Sequence, residues 1–437
     1  MRGKKVKLGD VLIKKNLRFK DVPDLKEPLV LGVTNNEGVV KSKVEAGQKI
    51  EDYYVINKGD FVYNPYRINV GSIGISDLEG ITSLAYVVFN VDETRLNKYL
   101  LFKLLKSDFG LKEIIRNGRG SVRNALRFDD LARIELVIPS IEEQNAFIDD
   151  FKKKEEKLEL LKTNYTYQLT QLENLNQAIL QEAVQGKLVK QDPDDEPAGK
   201  LLKRIKAEKV KSGKKEKPLP PIKPEEIPFE IPENWVWCRL GEIMNVKSGK
   251  RIHAADYRKE GVPFLRSGEI GTLGRGEKLK SQLYISKEKY EDIKAKFGIP
   301  KEGDILIACI GGSIGNTWVV DNRTFYYKDG NLVLIESIPE VETNFLLTYL
   351  KSPFFWKNTI LNATDSSYNA LTIEKLKDTE FPLPPLSEQK QIVVEIEKQL
   401  AKTKQLKEHI ISNQQATEQL LKALLHQAFE VEEIEKV

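Results

Sequence analysis

Leu131-Ala132-Arg133-Ile134-Glu135-Leu136-Val137-Ile138-Pro139, with Glu143-Gln144 after it, has a counterpart further along the chain. Leu376-Lys377-Asp378-Thr379-Glu380-Phe381-Pro382-Leu383-Pro384 is followed by Glu388-Gln389 in the same way. The offset is 245 positions, and it also carries Asn124-Ala125-Leu126 onto Asn369-Ala370-Leu371 and Lys106-Ser107 onto Lys351-Ser352. Leu161-Lys162 meets Leu406-Lys407, and Ala183 meets Ala428, so the register runs ungapped from near residue 106 to near 183. Self-similarity over so long a period marks a tandem duplication. Upstream the spacing changes: Leu8-Gly9-Asp10 echoes Leu240-Gly241-Glu242, Lys58-Gly59-Asp60 echoes Glu302-Gly303-Asp304, and Gly71-Ser72-Ile73-Gly74 echoes Gly312-Ser313-Ile314-Gly315. Each unit therefore has a variable front and a register-locked back.

The back part predicts a long helix. Ile392, Ile396, Leu400, Thr403, Leu406, Ile410, Asn413, Thr417, Leu420 and Leu424 step by three and four residues, the spacing of a coiled-coil seam. The repeat partners are Phe147, Phe151, Glu155, Leu158, Leu161, Tyr165, Gln168, Leu172, Leu175 and Ile179. Ser140 and Glu143 have capping-box spacing, and Pro139 blocks helix upstream. Each helix is expected to run roughly 40–45 residues, about 60–68 Å. An apolar stripe of this length needs a partner. Two separate dimerisation helices are one reading. An antiparallel pair within the chain is the other, and it is preferred because both connections to the globular parts are then short. Asn413 and Gln168 at equivalent seam positions either fix register or are tolerated beside water.

Composition bounds the function. Lys and Arg number 69 against 65 Asp and Glu, so the net charge of +4 does not make the whole chain a basic glove, and any anion-binding surface is a local patch. The two cysteines, Cys238 and Cys309, form no Cys-x-x-Cys pair, which fits a reducing compartment. The N-terminus has no apolar stretch behind its basic start and no segment has transmembrane length, so a soluble, cytoplasmic protein without membrane association is expected.

The expected architecture is α+β: two α/β reading domains separated by two long helices that form an antiparallel intramolecular coiled coil with a pseudo-twofold from the duplication. The boundaries are 1–139 for the first domain, 140–189 for the first helical region, 190–230 for a linker, 231–385 for the second domain and 386–437 for the second helical region. Phe61-Val62-Tyr63, Ile305 to Ala308, Ala85 to Phe89 and Asn331 to Ile335 look like strands, and Tyr99 to Leu105 and Phe345 to Leu350 like short helices. In the linker, Leu201 to Lys211 predicts a short basic helix and Pro218 to Pro224 an extended segment; the lysines of this linker either meet phosphates or, as is usual for a charged linker, are solvated.

Catalytic motifs are poorly supplied. Asn64-Pro65-Tyr66 lacks the second proline of an adenine methyltransferase loop, and Arg67 follows at once. The glycines at 271, 274 and 276 have the wrong order for a dinucleotide fingerprint, and no Walker-type loop is present. His253, His409 and His426 are scattered, which argues against zinc clusters and Ser-His-Asp triads. No catalytic residue, metal site or cofactor is expected in this chain.

Binding is better supplied. Arg116-Asn117-Gly118-Arg119-Gly120-Ser121-Val122-Arg123-Asn124 sets arginines and asparagines among glycines. Arg116, Arg119, Arg123 and Asn124 are candidate DNA contacts, since arginine suits guanine and asparagine suits adenine in the major groove. The second unit has Asn362 to Asn369 there, with Ser366, Tyr368 and Asn369 as candidates, polar but not basic. Asn64, Tyr66 and Arg67, Lys250 and Arg251 in a Gly-rich basic turn, and Ser313 and Asn316 at the repeated Gly-Ser-Ile-Gly turn complete the set. The competing reading of each is an ordinary solvated surface turn. Trp235 and Trp237 read as packing residues at the entry of the second domain.

Taken together, these pieces resemble the specificity subunits of type I restriction-modification systems. The resemblance rests on Pro384-Pro385-Leu386-Ser387-Glu388-Gln389, on Gly186-Lys187-Leu188-Val189, on Gln191-Asp192-Pro193 through Leu201-Leu202-Lys203-Arg204-Ile205, and on Ile231-Pro232-Glu233-Asn234-Trp235 with Leu240-Gly241-Glu242. It spans essentially the whole chain, although the first domain lacks the Pro-x-x-Trp lead of the second. The resemblance implies that two target recognition domains each read half of a split, asymmetric site on double-stranded DNA, and that the paired helices act as spacer and as docking surface for two methyltransferase subunits. Those partners would hold S-adenosylmethionine and methylate a flipped adenine. Restriction subunits would add ATP hydrolysis and Mg-dependent cleavage. The specificity subunit itself would be non-catalytic. A pure protein scaffold and a solitary specificity chain without functional partners are the competing readings.

Overall fold

The computed structural model describes residues 2–43, 49–118, 125–211, 218–280, 282–361, 370–429 and 432–433. The chain divides into two compact units: Met1–Tyr167 with Ile410–Val437, and Gln168–His409.

The first unit contains strands β1 (Arg2–Lys7), β2 (Leu12–Lys15), β3 (Leu31–Thr34), β4 (Gly38–Lys41), β5 (Tyr54–Ile56), β6 (Phe61–Tyr63), β7 (Ile73–Ile75), β8 (Gly80–Thr82), β9 (Val87–Val91) and β10 (Glu135–Ile138). Its main sheet has the order β2-β9-β6-β7, antiparallel throughout. Strand β6 is buried on both faces, which is why Phe61-Val62-Tyr63 shows no polar alternation. Phe61, Tyr63 and Phe89 pack with Leu101, Leu104 and Leu105 of helix α1 (Lys98–Lys106), while Val62 and Val88 on the other face meet Leu31 and Ile56. Strand β1 pairs antiparallel with β10 and parallel with a short strand, Glu432–Glu433.

The second unit repeats this plan with β11 (Val236–Arg239), β12 (Asn245–Ser248), β13 (Val262–Leu265), β14 (Leu283–Ile285), β15 (Ile305–Ala308), β16 (Thr317–Val319), β17 (Tyr326–Tyr327), β18 (Leu332–Glu336) and β19 (Glu380–Leu383). Its main sheet, β12-β18-β15-β16, matches the first in order and direction. Strand β11 pairs with β19 as β1 pairs with β10.

The two long helices, Ile141–Val184 and Leu386–Phe429, are each 44 residues and keep the 245-residue offset at both ends. That offset already holds at the short helices Lys98–Lys106 and Thr343–Lys351, upstream of residue 106, where the sequence first made it legible. The predicted strand from Ala85 starts at Val87, and the capping box forms: Glu143 N–H donates to Ser140 Oγ at 3.3 Å and Ser140 N–H to Glu143 Oε2 at 3.2 Å.

Within the second unit the helices run antiparallel. Ile179, Leu180, Ala183 and Val184 at the end of the first share a core with Ile392, Val393 and Ile396 at the start of the second. Thr403 Oγ1 donates to Asn176 Oδ1 at 2.7 Å.

Four expectations need correction. First, the seam is not continuous. Leu161, Leu406, Leu175 and Leu420 are 41%, 51%, 47% and 52% exposed, while Gln168 and Asn413 lie in solvent, in keeping with the second of the two readings given for them. Second, the helix Ala198–Lys211 is no solvated spacer, because Ala198, Leu201 and Ile205 enter the core of the second unit. Its lysines are also engaged: Lys206 pairs with Glu242 at 2.6 Å, and Lys209 donates to the Gly241 carbonyl at 2.7 Å. Third, the two Gly-Ser-Ile-Gly motifs are not equivalent. Phe61 pairs with Ile75 and Ile305 with Val319, which aligns Gly71 with Gly315 rather than Gly312. Fourth, Arg116 and Asn117 belong to helix α2 (Asp108–Asn117), which ends at Gly118, rather than to a turn.

Candidate nucleic-acid interface

In the first unit, β6 leads into the turn Asn64–Ser72 before β7. Asn64 Oδ1 accepts from Tyr66 N–H at 3.0 Å, an Asx turn that projects the next side chains outward. Tyr66 is 59% exposed, and Arg67 is exposed beside it. Leu126 N–H donates to the Pro65 carbonyl at 3.0 Å. This bond ties Leu126 to the turn that carries Tyr66 and Arg67. The second unit makes the same bond: Leu371 N–H donates to the Cys309 carbonyl at 2.8 Å, beside the turn with Ser313 and Asn316. Asn64, Tyr66 and Arg67 in the first unit, and Ser313 and Asn316 in the second, thus sit at one end of the main sheet beside this bond. Arg119, Arg123, Asn124, Ser366, Tyr368 and Asn369 themselves lie outside the described residues.

Two grooves flank the first turn. One, of 470 Å³, is lined by Lys14, Asn16, Tyr54, Tyr66, Tyr86 and Arg127 among others. The Lys14 ammonium sits 5.5 Å from the Phe128 ring centroid, an interaction that leaves its charge at the surface. Lys15 is instead committed to the buried Asp60 at 2.7 Å. The other groove, of 560 Å³, sets Arg67 opposite Thr34, Asn35, Asn36 and Glu37 at the tip of the β3–β4 hairpin. Lys106 braces that tip by donating to the Asn35 carbonyl at 3.2 Å, and burial holds its ammonium below the usual lysine range, with the charge of Lys103 adding to the effect.

Other candidates are engaged by the protein. Arg116 pairs with Glu113 at 2.6 Å. Arg251 reaches Asp329 at 3.2 Å but remains 72% exposed. The Lys250 ammonium lies 5.0 Å from the Phe297 ring, and its backbone N–H donates to Tyr326 Oη at 2.6 Å. Ser313 Oγ donates back to the Ile310 carbonyl at 3.4 Å. Trp235 and Trp237 pack as expected, against Phe345 and Phe354. Sequence reasoning missed Lys14, Asn16, Asn35, Asn36 and Arg127. The signal for the asparagines was present, because Thr34-Asn35-Asn36-Glu37-Gly38 between two β-branched runs is a hairpin signature.

Among the described residues no group of three or more His, Cys, Asp or Glu is placed to hold a metal ion. Likewise, no described helix is long and apolar enough to cross a membrane.

Residues 3–171 and 232–414 each match the family described as the type I restriction modification DNA specificity domain. The chain belongs to this family. It is 36% identical over 256 residues to the type I restriction enzyme EcoAI specificity subunit of Escherichia coli, a match covering 56% of this chain and 42% of that protein. The Escherichia coli EcoDI specificity subunit is 22% identical over 375 residues, 82% of this chain and 75% of that one. The fold matches the HsdS subunit of Thermoanaerobacter tengcongensis with a TM-score of 0.57 at 19% identity, covering 98% of this chain and 96% of that one. A chain from a structure titled for complex assembly and conformational transition of the type I R-M system matches with a TM-score of 0.67 at 20% identity, covering 98% and 97%. The chain spans less than half the length of the EcoAI subunit it matches. The two family matches fall on the two repeats, so each carries one specificity domain.

Proposed function

We propose that this chain is the non-catalytic specificity subunit of a type I restriction-modification complex and reads a bipartite, asymmetric site on double-stranded DNA in the cytoplasm. Each specificity domain contacts one half-site with the end of its main sheet. The carrying observation is the shared construction there: one backbone bond, Leu126 to Pro65 and Leu371 to Cys309, holds different residues in the two domains. One scaffold with two surfaces suits two different half-sites.

Two methyltransferase subunits dock on the long helices, where Leu161 and Leu406, and Leu175 and Leu420, leave apolar side chains exposed at repeat-equivalent positions. Those subunits bring S-adenosylmethionine and methylate adenine; restriction subunits bring ATP and Mg chemistry. This chain needs no cofactor, and selects the target through differential contacts.

Single-molecule sequencing of DNA from a host expressing this chain with a cognate methyltransferase tests the proposal. A split adenine motif is expected. Adenine methylation without a split motif, or none at all with both proteins folded, rejects it.

A further inference from the structure

The second domain exposes an indole at the end of its main sheet. Trp356 opens a π-helical segment, Trp356–Leu361, and is 44% exposed. Its ring rests on the turn between β15 and β16, since a Cβ added at Gly315 would lie 2.6 Å from Trp356 Cζ3. Gly315 has a φ of +81°, a conformation that favours glycine, and the missing side chain leaves room for the ring. Turns of π-helix occur often at functional sites.

The repeated frame does not require this arrangement. The 245-residue offset puts Leu111 at the place of Trp356, and Leu111 packs against the first domain's core from within the regular helix α2. Gly71 is the counterpart of Gly315, and among the described residues nothing lies within 4 Å of where its Cβ would stand. The first domain instead exposes an aromatic ring from the turn itself, that of Tyr66. Each domain thus presents a large aromatic side chain at the same end of its sheet, from a different element.

The polar groups of the second turn are held by the protein. Ser313 Oγ donates to the Ile310 carbonyl at 3.4 Å, and the Asn316 amide lies against Gly271 of the helix Ser267–Gly274. Residues 309–316 include no lysine or arginine. The largest side chain that this turn region offers a duplex is therefore an uncharged indole.

We propose that Trp356 is a specificity-determining residue of the second domain and reads the 5-methyl group of a thymine in its half-site. That methyl is the apolar group on the base edges of the major groove, so it is the feature an uncharged ring selects. This inference rests on the DNA reading above and names one contact within it.

The test uses this chain with 5-hydroxytryptophan in place of tryptophan, assembled with its cognate methyltransferase, so that its indoles are excited apart from the partner's. Trp235 and Trp318 are buried and Trp237 is half-buried, so acrylamide quenching reports mainly on Trp356. Trp356→Phe is expected to remove most of the quenched signal. A duplex bearing the motif that the complex methylates is expected to shield the indole. Uracil in place of one thymine of the second half-site is expected to weaken binding by the parent complex roughly fourfold, the worth of one buried methyl group. Trp356→Ala is expected to bind the thymine duplex about tenfold more weakly, with no further loss on the uracil duplex. Failure of the complex to bind the duplex at all defeats the DNA reading itself. Three results overturn this inference alone: binding with the indole still quenched, shielding already complete before DNA is added, or uracil tolerated at every thymine of the half-site.

Discussion

Gln389 accepts a hydrogen bond from the backbone N–H of Glu342 at 2.8 Å, and Gln144 accepts one from Asn97 N–H at the same distance. Both amides also donate to the proline carbonyl five residues upstream, Pro384 at 3.1 Å and Pro139 at 3.0 Å. Both glutamines are fully buried. Each therefore ties the start of a long helix to the end of the preceding strand and to the N-terminus of the short helix beneath it. Alanine at either position leaves buried backbone groups without partners, which costs about 1–3 kcal/mol. Urea denaturation of Gln144→Ala and Gln389→Ala is expected to show that loss. An unchanged midpoint in either would show that water replaces the side chain.

Glu388 responds to pH in a predictable direction. Its carboxylate is buried, and desolvation raises its proton affinity, opposed by hydrogen bonds from Trp235 at 2.8 Å and Gln191 at 2.5 Å. The folded chain then holds a proton at pH values where the unfolded chain has released it. The stability from this group is fully present on the acid side and falls as pH rises from the ordinary carboxylate range through the raised value. Glu388→Gln removes that loss. The stability difference between variant and parent is expected to move in the variant's favour across that window; a difference independent of pH excludes the effect.

The cysteines are expected to be inert. Cys238 and Cys309 are 1% and 2% exposed. Burial pushes the Cys309 thiol up to about 12 and that of Cys238 higher still. The thiolate is the reactive form, so alkylation of the native chain is negligible at neutral pH. Both thiols react once urea unfolds the second unit. Rapid labelling of the folded chain would show local opening around β11 or β15.

Docking of a methyltransferase on the long helices places a demand on Leu161 and Leu406. Both are exposed at equivalent repeat positions, so lysine there changes stability by no more than about 0.5 kcal/mol. The same change puts a charge into any apolar interface. Leu161→Lys and Leu406→Lys are expected to reduce co-purification of the methyltransferase while the melting temperature holds. Full recovery of the complex with both changes combined would move the docking surface elsewhere.

The sequence made the repeated parts legible and the inserted parts obscure, for a physical reason. A 44-residue helix with a capping box carries many coupled signals, and the strand Phe61-Val62-Tyr63 is buried on both faces. Between β2 and β6 the first unit inserts the β3–β4 hairpin, whereas the second inserts the β14-β13-β17 sheet between β12 and β18. Those short strands gain stability from tertiary pairing rather than local pattern, so they escaped reading. The site was legible as two separate turns. The bond that ties Leu126 to Pro65 was not, because a backbone bond 61 residues apart leaves no trace in side-chain type. The seam misled for a related reason: spacing by three and four marks one helix face, and says nothing of where along that face the partner stops.

Arg67 is the sharpest test of the reading surface. It is exposed, it opposes Asn35 and Asn36 across a groove, and it shares a turn with the half-exposed Tyr66. Two outcomes of Arg67→Ala separate two roles, measured as affinity of the chain with its methyltransferase for duplexes over a range of salt. If Arg67 holds a phosphate, affinity falls for every sequence and the salt slope decreases by about 1. If it reads a base, the loss is about 1–3 kcal/mol and the motif relaxes at one position of the first half-site. The proximity of Asn35 and Asn36, whose amides suit adenine, favours base reading. Asn36→Ala is then expected to relax a neighbouring position of the same half-site, with the second half-site untouched. Affinity, salt slope and motif all unchanged in both variants would remove this end of the sheet from the DNA interface.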